Sequence, residues 1–138
     1  MAVFTNETAV RVKFQLADTT LVTPALIEQS IEDAHAEVLR FLAPEVDTES
    51  PEDALVVGET LLAGAHVYRS LAAHDAANQK HIAIGANRIE AGKRFEALNA
   101  IAEVVERQAW YILEPYVAHI PARSAIALTE STPVMGEA

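Results

Sequence analysis

The side chains in this sequence with the chemistry to bind a metal or move a proton are its five histidines and its many carboxylates. Glu32 and His35 form a Glu-x-x-His unit, a spacing that puts both side chains on one helical face. Di-iron bundles use that unit twice, with two further glutamates. Here it occurs once, so the preferred reading leaves Glu32 solvated and His35 at the margin of a core. His74-Asp75 has the form of the central dipeptide of helical metal-dependent phosphohydrolases. Those sites need a further aspartate downstream, and none follows Asp75. His66 reads as a packed or partly exposed residue rather than a base. A small helical metal protein using Glu32, His35, Glu59 and His66 stands as a secondary hypothesis.

No Gly-x-Ser-x-Gly elbow, phosphate-cradling glycine loop or dinucleotide fingerprint is present. The absence of cysteine excludes disulfides, cysteine-based zinc sites and thiol nucleophiles. The expectation is a chain without catalysis, metal or cofactor.

The elements that would position these residues are helical. Ser50 as N-cap, Pro51 at the first helical position and Glu52 and Asp53 at the positive end of the dipole predict a helix from Ser50 to Asp75. Glu52, Val56, Glu59, Ala63, His66 and Ser70 form a narrow, partly polar file on it. Ala54, Val57, Leu61, Tyr68 and Leu71 cover one flank, and Leu55, Leu62, Ala65 and Ala72 the other. A helix apolar round most of its circumference is enclosed on several sides, so it is read as the centre of a bundle. Gly58 and Gly64 lie inside it, where each costs about 1 kcal/mol relative to Ala; close helix approach is the compensation expected.

Around that centre, Thr5 or Asn6 caps a short helix to about Leu16, with Val10, Phe14 and Ala17 inward, although Val10, Val12 and Phe14 also alternate as a strand would. Thr23-Pro24 opens a second helix whose Ile27, Ile31, Ala34, Val38 and Leu42 recur at helical spacing, with Glu28, Glu32, Asp33 and Arg40 pointing away. After the central helix, His81 to Ile84, a Gly85-Ala86 turn and Asn87 to Ile89 predict a very small β-hairpin, with a plain loop as the alternative. From about Glu90 a last long helix carries Phe95, Leu98, Ala102, Val105, Ala109, Ile112 and Tyr116 at alternating steps of three and four, a stripe that packs along another helix. Pro115 ends or kinks it. The fold class is therefore all-α: a bundle of about four helices over residues 1–120, followed by a tail over 121–138 expected to be mobile.

A net charge of −10 argues against a protein whose task is gripping phosphate backbones. The N-terminus lacks the pattern of a signal peptide. Ala54 to Ala73, the most apolar window, carries Glu59, His66 and Arg69 and reads as a buried helix rather than a membrane span. A soluble, intracellular protein is expected.

Partner-facing candidates are few. Trp110, the only tryptophan, shares a file with Glu96 and Glu103 beside the apolar stripe and is either an interface anchor or a cover for the end of the bundle. Lys80, Arg88, Lys93 and Arg94 cluster in an otherwise acidic chain, as a contact for an acidic neighbour or as a solvated helix start. Ile82 and Ile84 lie beside them.

The order of these elements resembles the small head-tail connector proteins, also called adaptor or head-completion proteins, of tailed bacteriophages and prophages. The resemblance rests on a short first helix, the Ile27-x-x-x-Ile31-x-x-Ala34-His35-x-x-Val38 pattern, an Ala-rich central helix, the Ile82-x-Ile84-Gly85 segment and a long helix ending Leu113-Glu114-Pro115-Tyr116. It covers roughly Thr5 to Tyr116; the apolar Ala125 to Leu128 patch of the tail matches no family feature. It implies subunits that assemble into a ring beneath the portal protein, extend the channel through which DNA passes without specific binding, and offer a surface to the next tail or stopper protein. It further implies location at the head-tail interface of the virion, and in the host cytoplasm during assembly, without a membrane. In such proteins a terminal segment often orders against the portal or a neighbouring subunit, and Pro121 to Ala138 is the matching segment here. The alternative is a helical partner-binding or regulatory module with Trp110 as anchor.

Overall fold

In a computed structural model, residues 3–79 and 85–121 are described, the side chains of 76–79 and 85–92 excepted. Their secondary structure consists of α1 (Glu7–Phe14), α2 (Pro24–Phe41), α3 (Asp53–Gln79), α4 (Gly85–Leu113) and a closing 3₁₀ turn, Glu114–Tyr116. The architecture is a small all-α bundle built round α3.

The caps explain where the first two helices begin. Asn6 Oδ1 accepts from the Ala9 N–H at 2.8 Å, which selects Asn6 over Thr5 and settles the helix-or-strand ambiguity of this segment as helix. Thr23 Oγ1 accepts from the Leu26 N–H, with Pro24 at the first turn. Gln15 takes the left-handed conformation, φ 55°, to stop α1, and the chain turns out to solvent at Ala17, which is exposed rather than inward. Arg11 then fastens the connector by donating to the carbonyls of Leu16 and Val22, both at 2.9 Å, and to Glu7.

The central helix starts later and runs further than its capping signals predict. Asp47 Oδ1 takes the N–H groups of Glu49 and Ser50 in a turn of its own, and Ser50 and Pro51 lie in the non-helical approach that precedes Asp53. The first helical carbonyl is that of Glu52, which accepts from Leu55 and Val56. At the far end the helix passes Asp75 and continues to Gln79.

From Gly58 to Ala65 every residue of α3 is buried, the enclosure its all-round apolar character requires. Both glycines serve close approach. A Cβ at Gly58 would collide with the fully buried Leu113 side chain of α4, and one at Gly64 with the ring of Phe14 of α1. α3 and α4 make the most extensive contact in the molecule. They run antiparallel, as the pairings Gly58 with Leu113, Arg69 with Glu106 and Asp75 with Arg94 require.

The inward stripe of α4 is as expected, with Ala102, Val105 and Ala109 buried and Phe95, Leu98, Ile112 and Tyr116 half-buried. The helix ends at Leu113, as Pro115 dictates. The chain then lies back across the end of α2: Ala43 donates to the Tyr116 carbonyl at 2.9 Å and Ala118 to that of Phe41 at 2.8 Å.

The hairpin requires correction. Gly85 to Ile89, predicted as its turn and returning arm, are the opening turns of α4. Glycine and asparagine are tolerated near a helix start, so their turn chemistry does not prevent this segment from opening the long helix that follows. His81 to Ile84 and most of the tail lie outside the described residues.

Candidate functional site

The most concentrated chemistry lies where α2 crosses α3. Glu59 is fully buried. Its Oε1 sits 2.6 Å from His35 Nδ1, and its Oε2 accepts from the backbone N–H groups of Phe4 at 2.7 Å and Thr5 at 2.9 Å. The Thr5 and Thr60 hydroxyls meet at 2.6 Å, and Thr60 also donates to the Val56 carbonyl. Phe4 presents its ring edge-to-face to His35, centroids 4.8 Å apart. A carboxylate partner requires the His35 tautomer with the proton on Nδ1.

A carboxylate buried without partners is very costly; one with three donors is compensated. Glu59 is thus the acceptor that holds the N-terminal segment and α2 to α3. A charged residue with buried apolar turns on both sides of it is the sequence signal for such a role. The Thr5–Thr60 pair left no comparable signal, because neither threonine belongs to a recognisable motif.

The other acid-base candidates are placed elsewhere. Glu32 is exposed and, with His35, Glu7, Glu28 and Ile31, lines a cleft of about 520 Å³ between the N-terminal segment and α2. His66 pairs through Nε2 with Glu37. Glu32, His35, Glu59 and His66 therefore do not converge on one point, and among the described residues no group of three or more histidines and acids could hold a metal ion. Asp75 is buried and takes both carboxylate hydrogen bonds from Arg94. That guanidinium holds the Asp75 carboxyl below its ordinary value, with burial acting in the opposite direction.

The candidate partner residues divide. Trp110 is 2% exposed and stacks edge-to-face on Phe41, whose ring also meets His119. It occupies the place of a cover for the end of the bundle, enclosed within its own chain. Glu96, Glu103 and Lys93 are exposed on α4, and Arg94 is bound to Asp75. Arg88 lies on α4; Lys80, Ile82 and Ile84 lie outside the described residues.

The surface that stands out is one residue away from Trp110. Ile101, Val104 and Tyr111 are 42%, 52% and 70% exposed. With Ala97 and Gln108 they recur at alternating steps of four and three along α4, a second seam about a quarter-turn from the inward one. A groove of about 520 Å³ runs beside it, floored by Val57, Leu61 and Ile112 and flanked by Lys13 and Arg107. This seam was readable in the sequence, but a helix is usually scored for one apolar face and the inward stripe had claimed it.

No protein family, curated protein or solved structure matches this chain. Among the described residues no helix is long and apolar enough to cross a membrane.

Proposed function

We propose that this chain is a structural subunit that joins copies of itself into a ring at the head-tail junction of a tailed phage or prophage. In that role it contacts the portal protein on one side and the next tail or stopper protein on the other, and encloses a channel for DNA. The observation that carries the self-association is the outward seam of α4. A long helix with one apolar stripe packed on α3 and a second stripe facing solvent has the form of an element with a further helix-sized partner. The resemblance in element order supplies the connector role.

Two further features support the reading. The imidazoles and carboxylates that invite a catalytic interpretation are largely committed to one another, His35 to Glu59 and His66 to Glu37. The net charge of −10 suits a conduit to which DNA must not adhere.

The test is sizing and electron microscopy of the purified chain at increasing concentration, alone and with portal protein. Rings that form as concentration rises, and more readily with portal protein, are the expected outcome. A chain that remains monomeric and ignores the portal under all conditions contradicts the proposal, as does tight, salt-sensitive retention of duplex DNA.

A further inference from the structure

A ring differs from a twofold dimer in what it demands of a subunit's surface. Each copy must carry two different faces that fit one another, because the contact is head-to-tail. The described surface offers a candidate pair, distinguished by the sign of its charge and by a groove or cleft at each face.

The first face is the outward seam of α4. Tyr111 projects from it, and Lys13 and Arg107 flank the groove beside it. Most of the other described cations are already engaged within the chain: Arg11 with Glu7, Arg69 with Glu106, Arg94 with Asp75, and Arg40 over the ring of Phe41. Among the described residues Lys13 and Arg107 enter no such ion pair, and they lie together at an apolar groove. Cations gathered around exposed apolar surface in a chain of net charge −10 fit an acidic partner surface.

The second face supplies that surface. Glu28 and Glu32 are exposed one turn apart on α2, at the cleft between α2 and the N-terminal segment, and Ile31 lies in the wall of that cleft. Asp33 is exposed beside them. The α2 cleft thus has an acidic rim and apolar wall, and the α4 groove a basic rim and apolar floor.

We infer that the α4 seam of one copy docks on the acidic α2 cleft of the next, with Tyr111 over the cleft and Lys13 and Arg107 opposite Glu28 and Glu32. This rests on the self-association proposed above and names the surfaces that perform it. Such a contact propagates until it closes or extends as a helix.

Charge reversal tests this pairing with the intact chain. One variant carries Lys13→Glu and Arg107→Glu; a second carries Glu28→Lys and Glu32→Lys. All four side chains are exposed, so both variants keep the fold, which circular dichroism verifies. Each variant alone is expected to associate about a hundred-fold more weakly than wild type, because like charges then face each other. Mixing the two restores association, since each altered face meets its altered complement, and the fourfold variant assembles by itself. Reversal variants that associate as wild type does, or a mixture that stays monomeric, overturn the pairing while leaving a self-associating wild type intact. A wild-type chain that stays monomeric at every concentration removes the self-association itself.

Discussion

Two regions of this molecule invert the usual distribution of side chains, and they do so for different reasons. At the crossing of α2 and α3 a glutamate, a histidine and two threonines are buried; on the outer face of α4 an isoleucine, a valine and a tyrosine are exposed. The buried polar residues have their partners inside the chain, since Glu59 receives His35 and two backbone N–H groups. Ile101, Val104 and Tyr111 stay exposed among the described residues. A satisfied polar core explains itself as architecture, because removing a partner would leave a desolvated group unpaired. An apolar seam in water has no such account among the described residues, and we propose that a second copy covers it. The contrast separates what holds this fold from what the fold presents.

Substitutions sharpen that contrast, and the largest effect belongs to the buried cluster. Glu59→Ala leaves His35 and the Phe4 and Thr5 N–H groups without their acceptor, and chemical denaturation should show a loss of about 3 to 5 kcal/mol. Amide exchange at Phe4 and Thr5 should accelerate in the same variant. Next comes the helix interface. Gly58→Ala gains helix propensity but drives a methyl into Leu113, which has no room to retreat, for a net loss of about 1 to 2 kcal/mol. Gly64→Ala meets the outer edge of the half-buried Phe14 ring, which can turn aside, so its loss should be the smaller of the two.

A third effect is set by pH. Arg94 depresses the Asp75 carboxyl, so the pair's stabilisation is fully present above the unfolded carboxylate value of about 3.9 and is lost as pH falls through the folded value. Asp75→Asn should cost about 1 kcal/mol or less at neutral pH, because Arg94 is largely exposed. Wild type and variant should converge in acid, which denaturation at a series of pH values would show. The smallest stability effect is expected on the seam itself, where Val104→Ser should move the unfolding free energy by no more than about 0.5 kcal/mol.

The same contrast governs how much was legible in the residues. Helix signals that are local and chemically explicit were readable: Thr23-Pro24 opens α2, Pro115 closes α4, and Ile27, Ile31, Ala34 and Val38 mark one buried face. Signals that compete with longer-range packing misled. Gly85-Ala86 has turn chemistry, yet it lies at the start of a helix whose length follows from its match to α3. Ser50 has capping chemistry, yet it lies in the non-helical approach and the helix begins only at Asp53. For the site, the Glu32–His35 spacing drew attention to the right helix, but the partner of His35 is Glu59 on α3, a long-range pairing that no spacing encodes. Trp110 drew attention to the right end of α4, and the exposed aromatic there is Tyr111.

The outer face of α4 is proposed as the interface between copies. Sedimentation equilibrium of wild type and of a Val104→Asp, Tyr111→Asp variant over a wide concentration range, with urea unfolding of both under conditions that keep them monomeric, tests it most directly. Wild type is expected to associate with concentration and the variant to stay monomeric with nearly the same unfolding midpoint. A wild type that never associates, or a variant that associates equally well, would contradict it.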